Sequence, residues 1–165
     1  MLEMTRPAAL VATSLRDVAR GQRVARLLLP QSQDLICKNL MCEHVGSSCA
    51  CKLALVLERV PELEEMDLSR NQLRFLPDAT FALTRLRRLN VAGNLLETLS
   101  PGITRLQQLE VLNLAHNRLT DVPVDELLSS LPRLRELDVS GNPLPESARE
   151  RLRRWKDVQV TMDDS

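Results

Sequence analysis

The chain has 165 residues, a length that suits one domain, and its 22 basic and 22 acidic residues give a formal net charge of zero. Hydrophobic residues make up 44% of the sequence and aromatic residues only 2%. A balanced charge with few stacking rings excludes a general nucleic-acid-binding protein, so we expect nucleic acid only as part of a larger complex. No apolar run approaches the roughly 20 residues that a membrane span needs.

The first 62 residues are predicted to form a helical N-terminal cap. Apolar residues at helical spacing predict one helix over 7–19, a second over 32–46 and a third over 50–60. The expected N-caps of the second and third helices are Ser32 and Ser48. In an alternative interpretation, the segment from Val24 to Leu29, V-A-R-L-L-L, forms an irregular first strand.

Residues 1–31 carry five arginines against Glu3 and Asp17. This composition fits a capping segment and also has some similarity to a mitochondrial transit peptide. The start lacks the apolar stretch of a secretory signal. We therefore expect an intracellular, cytoplasmic protein, with mitochondrial and nuclear locations left open.

A short motif in the same region suggests a more specific role. S-L-R-D-V-A-R from Ser14 to Arg20, followed by L-L-L-P at 27–30, resembles the elongin-binding box of cullin-type ubiquitin-ligase receptors. Ala19 stands near the position of that family's characteristic cysteine, so the match is incomplete. The resemblance implies a substrate-receptor adaptor, and the alternative is an ordinary amphipathic helix.

The four cysteines of the chain, Cys37, Cys42, Cys49 and Cys51, lie close together with His44 among them. Thiolates and imidazoles are zinc ligands, but zinc sites usually use CxxC-like pairs, which are absent here. On the predicted helix, Cys37 and Cys42 would also point about 140 degrees apart. We therefore expect reduced thiols without a stoichiometric metal or other cofactor, with zinc and disulfides as the alternatives.

A repeated pattern, LxxLxLxxNxL, organises residues 63–144. It begins at 63, 86, 109 and 134. Its matched residues are Leu63, Met66, Leu68, Asn71 and Leu73; Leu86, Leu89, Val91, Asn94 and Leu96; Leu109, Leu112, Leu114, Asn117 and Leu119; and Leu134, Leu137, Val139, Asn142 and Leu144. The period and pattern resemble the leucine-rich repeat family, intracellular type, with repeats of about 23 residues. The resemblance implies an α/β fold, a right-handed solenoid with a parallel sheet on its concave face.

The residues of the pattern have separable physical roles. Positions 4 and 6 alternate as in a short strand, so their side chains enter the core while positions 3, 5 and 7 face outward. The asparagine at position 9 is predicted to be structural, because its amide can pair with backbone groups at a sharp turn. Position 2 holds charges of alternating sign, which predicts a surface ladder. Its members are Glu64, Arg87, Glu110 and Arg135.

Residues 145–165 are predicted to close the C-terminal end. Within the third repeat, 124–131 already indicates a helical return segment. After Pro145, the apolar stripe of Ala148, Leu152 and Trp155 predicts a cap helix, with Trp155 covering the last repeat. Val158 and Val160 then alternate as a short strand, and residues 163–165 are expected to fray.

The sequence indicates an interaction module and carries no motif of a known catalytic site. The family resemblance implies a non-catalytic scaffold that binds a protein partner through the concave face. The alternatives are the ubiquitin-ligase adaptor or a constitutive subunit of a large ribonucleoprotein or mitochondrial complex. The predicted partner-binding residues are Glu65, Asp67, Arg88, Asn90, Val111, Asn113, His116, Glu136 and Asp138.

Overall fold

A seven-stranded parallel sheet, with its strands in sequence order, runs through the chain. The computed structural model describes residues 10–18, 23–43 and 45–163. The strands are β1 (Leu10–Ala12), β2 (Val24–Leu28), β3 (Glu65–Asp67), β4 (Arg88–Asn90), β5 (Val111–Asn113), β6 (Glu136–Asp138) and β7 (Gln159–Thr161). The α-helices are α1 (Cys51–Leu57), α2 (Val124–Ser130) and α3 (Glu146–Arg153). Short 3-10 helices span Leu15–Val18, Gln33–Leu35, Asp78–Ala82 and Pro101–Arg105.

The repeats stack in register. Met66 of β3 pairs with Leu89 of β4, Leu89 with Leu112 of β5, and Leu112 with Leu137 of β6. Each of these four side chains is at most 1% exposed, so they form one continuous apolar column. Burying each one contributes roughly 1.5–3 kcal/mol, which stabilises the chain only because the neighbouring repeat covers it.

The four predicted turn asparagines form a buried hydrogen-bonded ladder, which confirms their structural assignment. Asn94 is typical: its Nδ2 donates to the carbonyl of Val91 in its own turn at 2.8 Å and to that of Leu68 in the preceding repeat at 2.9 Å. Its Oδ1 accepts from the Leu73 N–H at 3.0 Å. One amide thus satisfies backbone groups of two successive turns that the short strands leave unpaired.

The return segments form a second row behind the sheet. α1 contacts the 3-10 helix Asp78–Ala82, which contacts Pro101–Arg105, which contacts α2, which contacts α3. α2 confirms the helix predicted in the third repeat. Within the ranges that the structure describes, no helix has the length and apolar character needed to cross a bilayer.

The predicted helix over 7–19 is wrong where the structure describes it. Residues 10–12 form β1 and 15–18 a 3-10 helix, while 7–9 and 19 lie outside the described residues. β1 pairs with β2, and the Leu10 N–H donates to the Arg23 carbonyl at 3.0 Å. Pairing with the sheet outweighs the local helical spacing because it satisfies the backbone groups of an open edge.

The alternative first strand is confirmed, since β2 pairs with β3 in the same parallel register as the later repeats. Leu27 of β2 is fully buried and faces Met66. The sheet therefore extends well before residue 63, and the predicted helical N-terminal cap over 1–62 is wrong for most of the residues described.

The second predicted helix, over 32–46, is also wrong. Ser32 caps as expected, with its hydroxyl accepting from the Asp34 N–H at 3.2 Å, but only one 3-10 turn follows. The chain then forms a loop held by two isolated bridges, which join Ile36 to Ser48 and Cys37 to Val45. Backbone pairing between distant residues of the loop replaces the helical ladder, a non-local effect that spacing does not reveal.

The third predicted helix is confirmed in a shorter form, as α1. Its N-cap residue is Ala50, without a side-chain hydrogen bond, because the predicted cap Ser48 pairs with Ile36 instead. Leu53 and Leu57 of this helix are at most 1% exposed and pack into the solenoid core.

The C-terminal end follows the prediction. α3 buries Ala148 and Leu152, and the partly buried Trp155 packs against the core beside them. β7 then pairs with β6 through Val160 and Leu137. In the predicted frayed tail, Asp163 accepts a hydrogen bond from the Gly141 N–H at 2.5 Å, while 164–165 lie outside the described residues.

Candidate functional site

The central strands bring eight of the nine predicted partner-binding residues onto one face in two rows. In each of β3 to β6, the middle residue is buried and its two neighbours are at least partly exposed. One row holds position 3 of each repeat: Glu65, Arg88, Val111 and Glu136. The other holds position 5: Asp67, Asn90, Asn113 and Asp138. The ninth residue, His116, follows β5 in the turn.

The position-5 row has a structural role of its own. In each repeat the side-chain Oδ1 accepts a hydrogen bond from the backbone N–H two residues later, at 2.9–3.0 Å. Such turns hold the end of the strand, so one oxygen of each side chain is already engaged. Within the described residues, the Nδ2 groups of Asn90 and Asn113 have no hydrogen-bond acceptor. These two amides remain available to a ligand.

The position-3 row combines different chemistries. Glu65 pairs with Arg26 of β2 at 2.7 Å, which reduces its attraction for a partner. Arg88 is exposed and makes no ion pair within the described ranges. Val111 is an apolar side chain left partly exposed at the centre. Glu136 is exposed near the C-terminal end. Arg88 and Val111 are therefore the strongest candidate anchors in this row.

Position 8 of each repeat adopts a left-handed backbone. Arg70 and His116 have φ of 58° and 54°, while the same turn in the alternate repeats uses Gly93 and Gly141, with φ of 69° and 68°. Gln31, after β2, has φ of 47°. An L side chain in this conformation costs roughly 1–2 kcal/mol relative to the right-handed region.

Gly93 and Gly141 leave space for the larger side chain at the same position of the preceding repeat, Arg70 and His116 respectively. A Cβ added to Gly93 would lie 3.1 Å from Cγ of Arg70, and one added to Gly141 would collide with the His116 imidazole. Large and minimal residues therefore alternate along this edge. Arg70 and His116 are exposed and rest over the turn of the following repeat.

These residues border a depression of about 490 Å³ on the concave side. Its lining is Pro30, Gln31, Ser69, Arg70, Asn90, Ala92, Gly93, Asn113 and His116. Pro30, Gln31 and Arg70 were absent from the predicted set. Pro30 and Gln31 follow the segment 24–29, so accepting it as a first repeat would have placed both at this edge.

A second depression, of about 520 Å³, lies along the return segments. It is lined by Glu97, Thr98, Leu99, Pro101, Thr104, Thr120, Asp121, Pro123, Glu126 and Ser130. None of the predicted partner-binding residues borders it. We favour the concave depression for two reasons. The Nδ2 donors of Asn90 and Asn113, free within the described residues, border it, and so do Arg70 and His116, whose backbones are left-handed.

The predicted charge ladder is formed at its centre. Arg87 Nε donates to Glu110 Oε2 at 2.9 Å, and a second guanidinium nitrogen lies 3.3 Å from Oε1. This hydrogen bonding lowers the pKa of Glu110 and raises that of Arg87. Glu64 and Arg135 contribute through their charges without an ion pair within the described residues.

The four cysteine thiols converge in the structure, including Cys37 and Cys42, which were predicted to point apart. All four Sγ atoms lie within 4.8 Å of one another. Hydrogen bonding to Cys49 and Cys42 raises the pKa of the exposed Cys51 thiol to about 12. His44 lies outside the described residues.

Comparisons with known proteins agree with this architecture. A protein-family model described as "Leucine rich repeat" matches residues 61–105, and a second family model, described as "Leucine Rich repeats (2 copies)", matches residues 107–149. The human geranylgeranyl transferase type-2 subunit alpha is 43% identical over 88 residues, which cover 53% of this chain but 15% of that protein. The chain thus corresponds to a small part of this relative.

Solved structures show the same fold. A leucine-rich repeat protein of Leptospira interrogans aligns with a TM-score of 0.59 and 27% identity, covering 69% of this chain and 28% of the other. Internalin C2 of Listeria monocytogenes aligns with a TM-score of 0.60 and 20% identity, covering 85% of this chain and 62% of the other. At this identity the second likeness shows the fold alone.

Proposed function

Because the chain belongs to the leucine-rich repeat family, we propose that it is a non-catalytic module that binds a protein partner through the centre of its concave face. Leucine-rich repeats generally serve as protein-interaction scaffolds. The fold does not name the partner, so the proposal depends on the chemistry of the face.

Arg70 and His116, in the turns that follow β3 and β5, support this location beside the candidate anchors Arg88 and Val111. Arg70 and His116 both hold a strained left-handed backbone beside one depression, although glycine occupies the same position in the alternate repeats. Strain of this kind is concentrated at functional sites. Glycine would fit these turns at a lower conformational cost, so we infer that the Arg70 and His116 side chains serve to contact a partner.

The face fits a partner segment of mixed polarity. Arg70, Arg88 and the Nδ2 groups of Asn90 and Asn113 are hydrogen-bond donors. Val111, which pairs in register with Arg88 and lies on the same strand as Asn113, offers an apolar contact beside them. Carboxylates and backbone carbonyls on a partner would accept from the donors, and an apolar side chain would cover Val111. An apolar or arginine anchor ringed by polar groups has the composition of an interface centre.

The ubiquitin-ligase alternative gains no support from the geometry. In the segment that resembles an elongin-binding box, Leu27 and Leu29 are at most 1% exposed and belong to the solenoid core. An elongin could contact them only if the first repeat opened. A constitutive subunit of a large complex differs from a module with an exchangeable partner because it is recovered in a fixed stoichiometric ratio with its partners.

The test compares variants at matched stability. The full chain and its Arg88→Ala, Val111→Glu and Arg153→Ala variants are used for quantitative affinity purification with mass spectrometry, and thermal unfolding of each is recorded. Binding to the recovered partner is then titrated with purified components. We expect both concave variants to bind at least about tenfold more weakly, equivalent to 1.4 kcal/mol, with unchanged unfolding.

Arg153→Ala is the control because Arg153 lies on α3, away from the concave rows, and pairs with Glu146 at 2.5 Å. It should bind as the unmodified chain does. Normal binding by both concave variants together with weak binding by Arg153→Ala would move the interaction surface to the C-terminal end. Recovery of elongin and a cullin would favour the adaptor, and a fixed stoichiometric assembly the constitutive subunit.

A further inference from the structure

The cysteine cluster joins three residues of the loop before α1, Cys37, Cys42 and Cys49, to Cys51, the first residue of α1. Cys37 lies in the loop before α1, and its backbone accepts from the Gly46 N–H and donates to the Ser47 carbonyl, both at 2.8 Å. The Cys49 N–H donates to the Leu35 carbonyl at 2.9 Å. These bonds close the loop and bring Cys37 next to Cys49, although twelve positions separate them in the sequence.

The four sulfur atoms lie close enough together to share one metal ion. The Sγ atom of Cys42 lies 3.6 Å from those of Cys49 and Cys51, and the latter two are 2.9 Å apart. A tetrahedral zinc ion with Zn–S bonds of about 2.3 Å holds its sulfur atoms about 3.8 Å apart. The two distances from Cys42 are close to this value, and binding of an ion would move the Cys49 and Cys51 sulfur atoms apart by about 0.9 Å. A disulfide requires about 2.05 Å, so none of these pairs is bonded as it stands.

We propose that Cys37, Cys42, Cys49 and Cys51 bind one structural Zn²⁺ ion. Four sulfur ligands select zinc or iron among the biological metals. Four protein ligands also fill the tetrahedron, leaving no position for a substrate, which makes the site structural rather than catalytic. The inference concerns a different surface from the concave face and does not depend on the proposed function.

The surroundings supply what such a site needs. Cys37 and Cys49 are buried, Cys42 is intermediate and Cys51 is exposed, so an ion can enter from one side. The Cys51 N–H points to Cys49 Sγ at 3.4 Å, a backbone contact that supports a thiolate ligand. Binding releases four protons and leaves a net charge of −2 on the centre, which the adjacent Lys38 and Lys52 offset.

The loop also lacks an apolar anchor of its own. Leu40 and Met41, at its tip, are 88% and 93% exposed. Two isolated bridges and several turn hydrogen bonds hold the described backbone between Ile36 and Ser48, without a regular helix or strand. A metal ion that ties the loop to the start of α1 would replace the missing hydrophobic core, as in other small zinc-stabilised units.

The sequence predicts no metal because CxxC-like pairs are absent and because a helix was expected over 32–46, which the structure does not contain. On that helix Cys37 and Cys42 would diverge. In the bridged loop they converge, and the absence of CxxC pairs is no longer an obstacle because the backbone pairing, rather than local spacing, positions the ligands.

The first experiment measures metal content. The full chain is purified under reducing conditions without added metal and analysed by inductively coupled plasma mass spectrometry, together with Cys51→Ser and Glu43→Ser. We expect about one zinc per chain in the unmodified protein and in Glu43→Ser, whose exposed side chain lies in the same loop. Cys51→Ser should retain less than about a tenth of that zinc after dialysis against a chelator.

A second measurement does not depend on any variant folding. Zinc is removed from the unmodified chain by a chelator, and Co²⁺ is added alone. We expect the visible absorption bands of tetrahedral cobalt with sulfur-to-cobalt charge transfer, reversed by an equimolar amount of Zn²⁺. Unfolding temperature should fall on zinc removal and recover on its return.

Several results would overturn the proposal. These are a folded, reduced chain that contains no zinc and gives no tetrahedral cobalt spectrum, iron instead of zinc at stoichiometric level, or equal zinc retention by Cys51→Ser and the unmodified chain. A mass lower by about 2 Da per cysteine pair in the purified protein, without metal, would assign the cluster to disulfides instead.

Discussion

At the scale of single residues, the buried asparagines have a larger structural role than any charged group. Asn117 is 6% exposed and donates to the carbonyls of Val91 and Leu114, both at 3.0 Å, while its Oδ1 accepts from the Leu96 N–H at 3.1 Å. One amide thus satisfies backbone groups of two successive repeats. An apolar replacement leaves these groups buried and unpaired.

Replacing Asn117 with Ala should therefore lower the free energy of unfolding by about 1–3 kcal/mol, because buried backbone groups lose their partners. Urea titration followed by circular dichroism measures the loss. Gln108→Ala is the control, since Gln108 is exposed and its side chain makes no hydrogen bond within the described residues, so its replacement should have little effect. Partner binding per folded molecule should stay unchanged, and a stable Asn117→Ala variant that fails to bind would contradict the structural assignment.

At the scale of elements, the strands are joined at their starts by charged side chains as well as by their backbones. Arg87 precedes β4 and Glu110 precedes β5, and their ion pair spans the two repeats. Arg87 is exposed and Glu110 is partly exposed, so salt should weaken the pair. It specifies register more than it adds stability, because a shift of one residue would separate the two charges.

This ion pair predicts a defined pH dependence. The hydrogen bond from Arg87 holds the pKa of Glu110 below its usual range, so the ionised carboxylate stabilises the folded chain. Its contribution is complete above about pH 4.3, the ordinary value for glutamic acid, and is lost as the pH falls through the lower folded value. Glu110→Gln should therefore be less stable than the unmodified chain at pH 7, and the difference should shrink toward pH 3.

Thermal unfolding of both proteins between pH 3 and 7, at low and high salt, measures this difference. Glu97→Gln provides the control, since Glu97 is exposed and makes no ion pair within the described residues. A difference for Glu110→Gln that stays constant with pH would show that the carboxylate charge is not responsible.

The elements differ in how far the sequence predicts them. Residues 63–144 were predicted well because each repeat places its leucines and asparagine by the same local rule. β1 was missed, and β2 was predicted only as an alternative, because their strand conformation depends on neighbours in the sheet. Locally, Val11 and Leu15 have helical spacing, which favours a helix over β1. The cysteine cluster was missed for the same reason, since the bridge between Cys37 and Val45 is set by pairing across the loop.

The candidate interaction site was only partly predictable. Strand alternation correctly placed Arg88 and Val111 on the outer face. It gave no indication that Asp67 and Asp138 are engaged in their own turns. It also gave no indication of the left-handed backbone at Arg70, since a non-glycine residue there offers no local signal in one sequence.

At the scale of the whole molecule, each repeat is stabilised by packing on its neighbours. The contacts are made by the buried column from Met66 to Leu137 and by the row of return segments. Each strand pairs only with its sequence neighbours, from β1 to β7. In such a stack an interior repeat supports two interfaces and a terminal element only one. The position of a defect should therefore decide how much of the chain it affects.

Leu112→Ala and Leu152→Ala test this with the same chemical change, since both leucines are fully buried. Leu112 lies in β5, between two repeats, and its replacement should cost about 2–5 kcal/mol and raise amide hydrogen exchange from β3 to β6. Leu152 lies in α3 at the end of the stack, so its replacement should raise exchange mainly from β6 to β7. Hydrogen-exchange mass spectrometry resolves these segments. Equal acceleration along the whole sheet in both variants would show that the solenoid opens as a single unit rather than repeat by repeat.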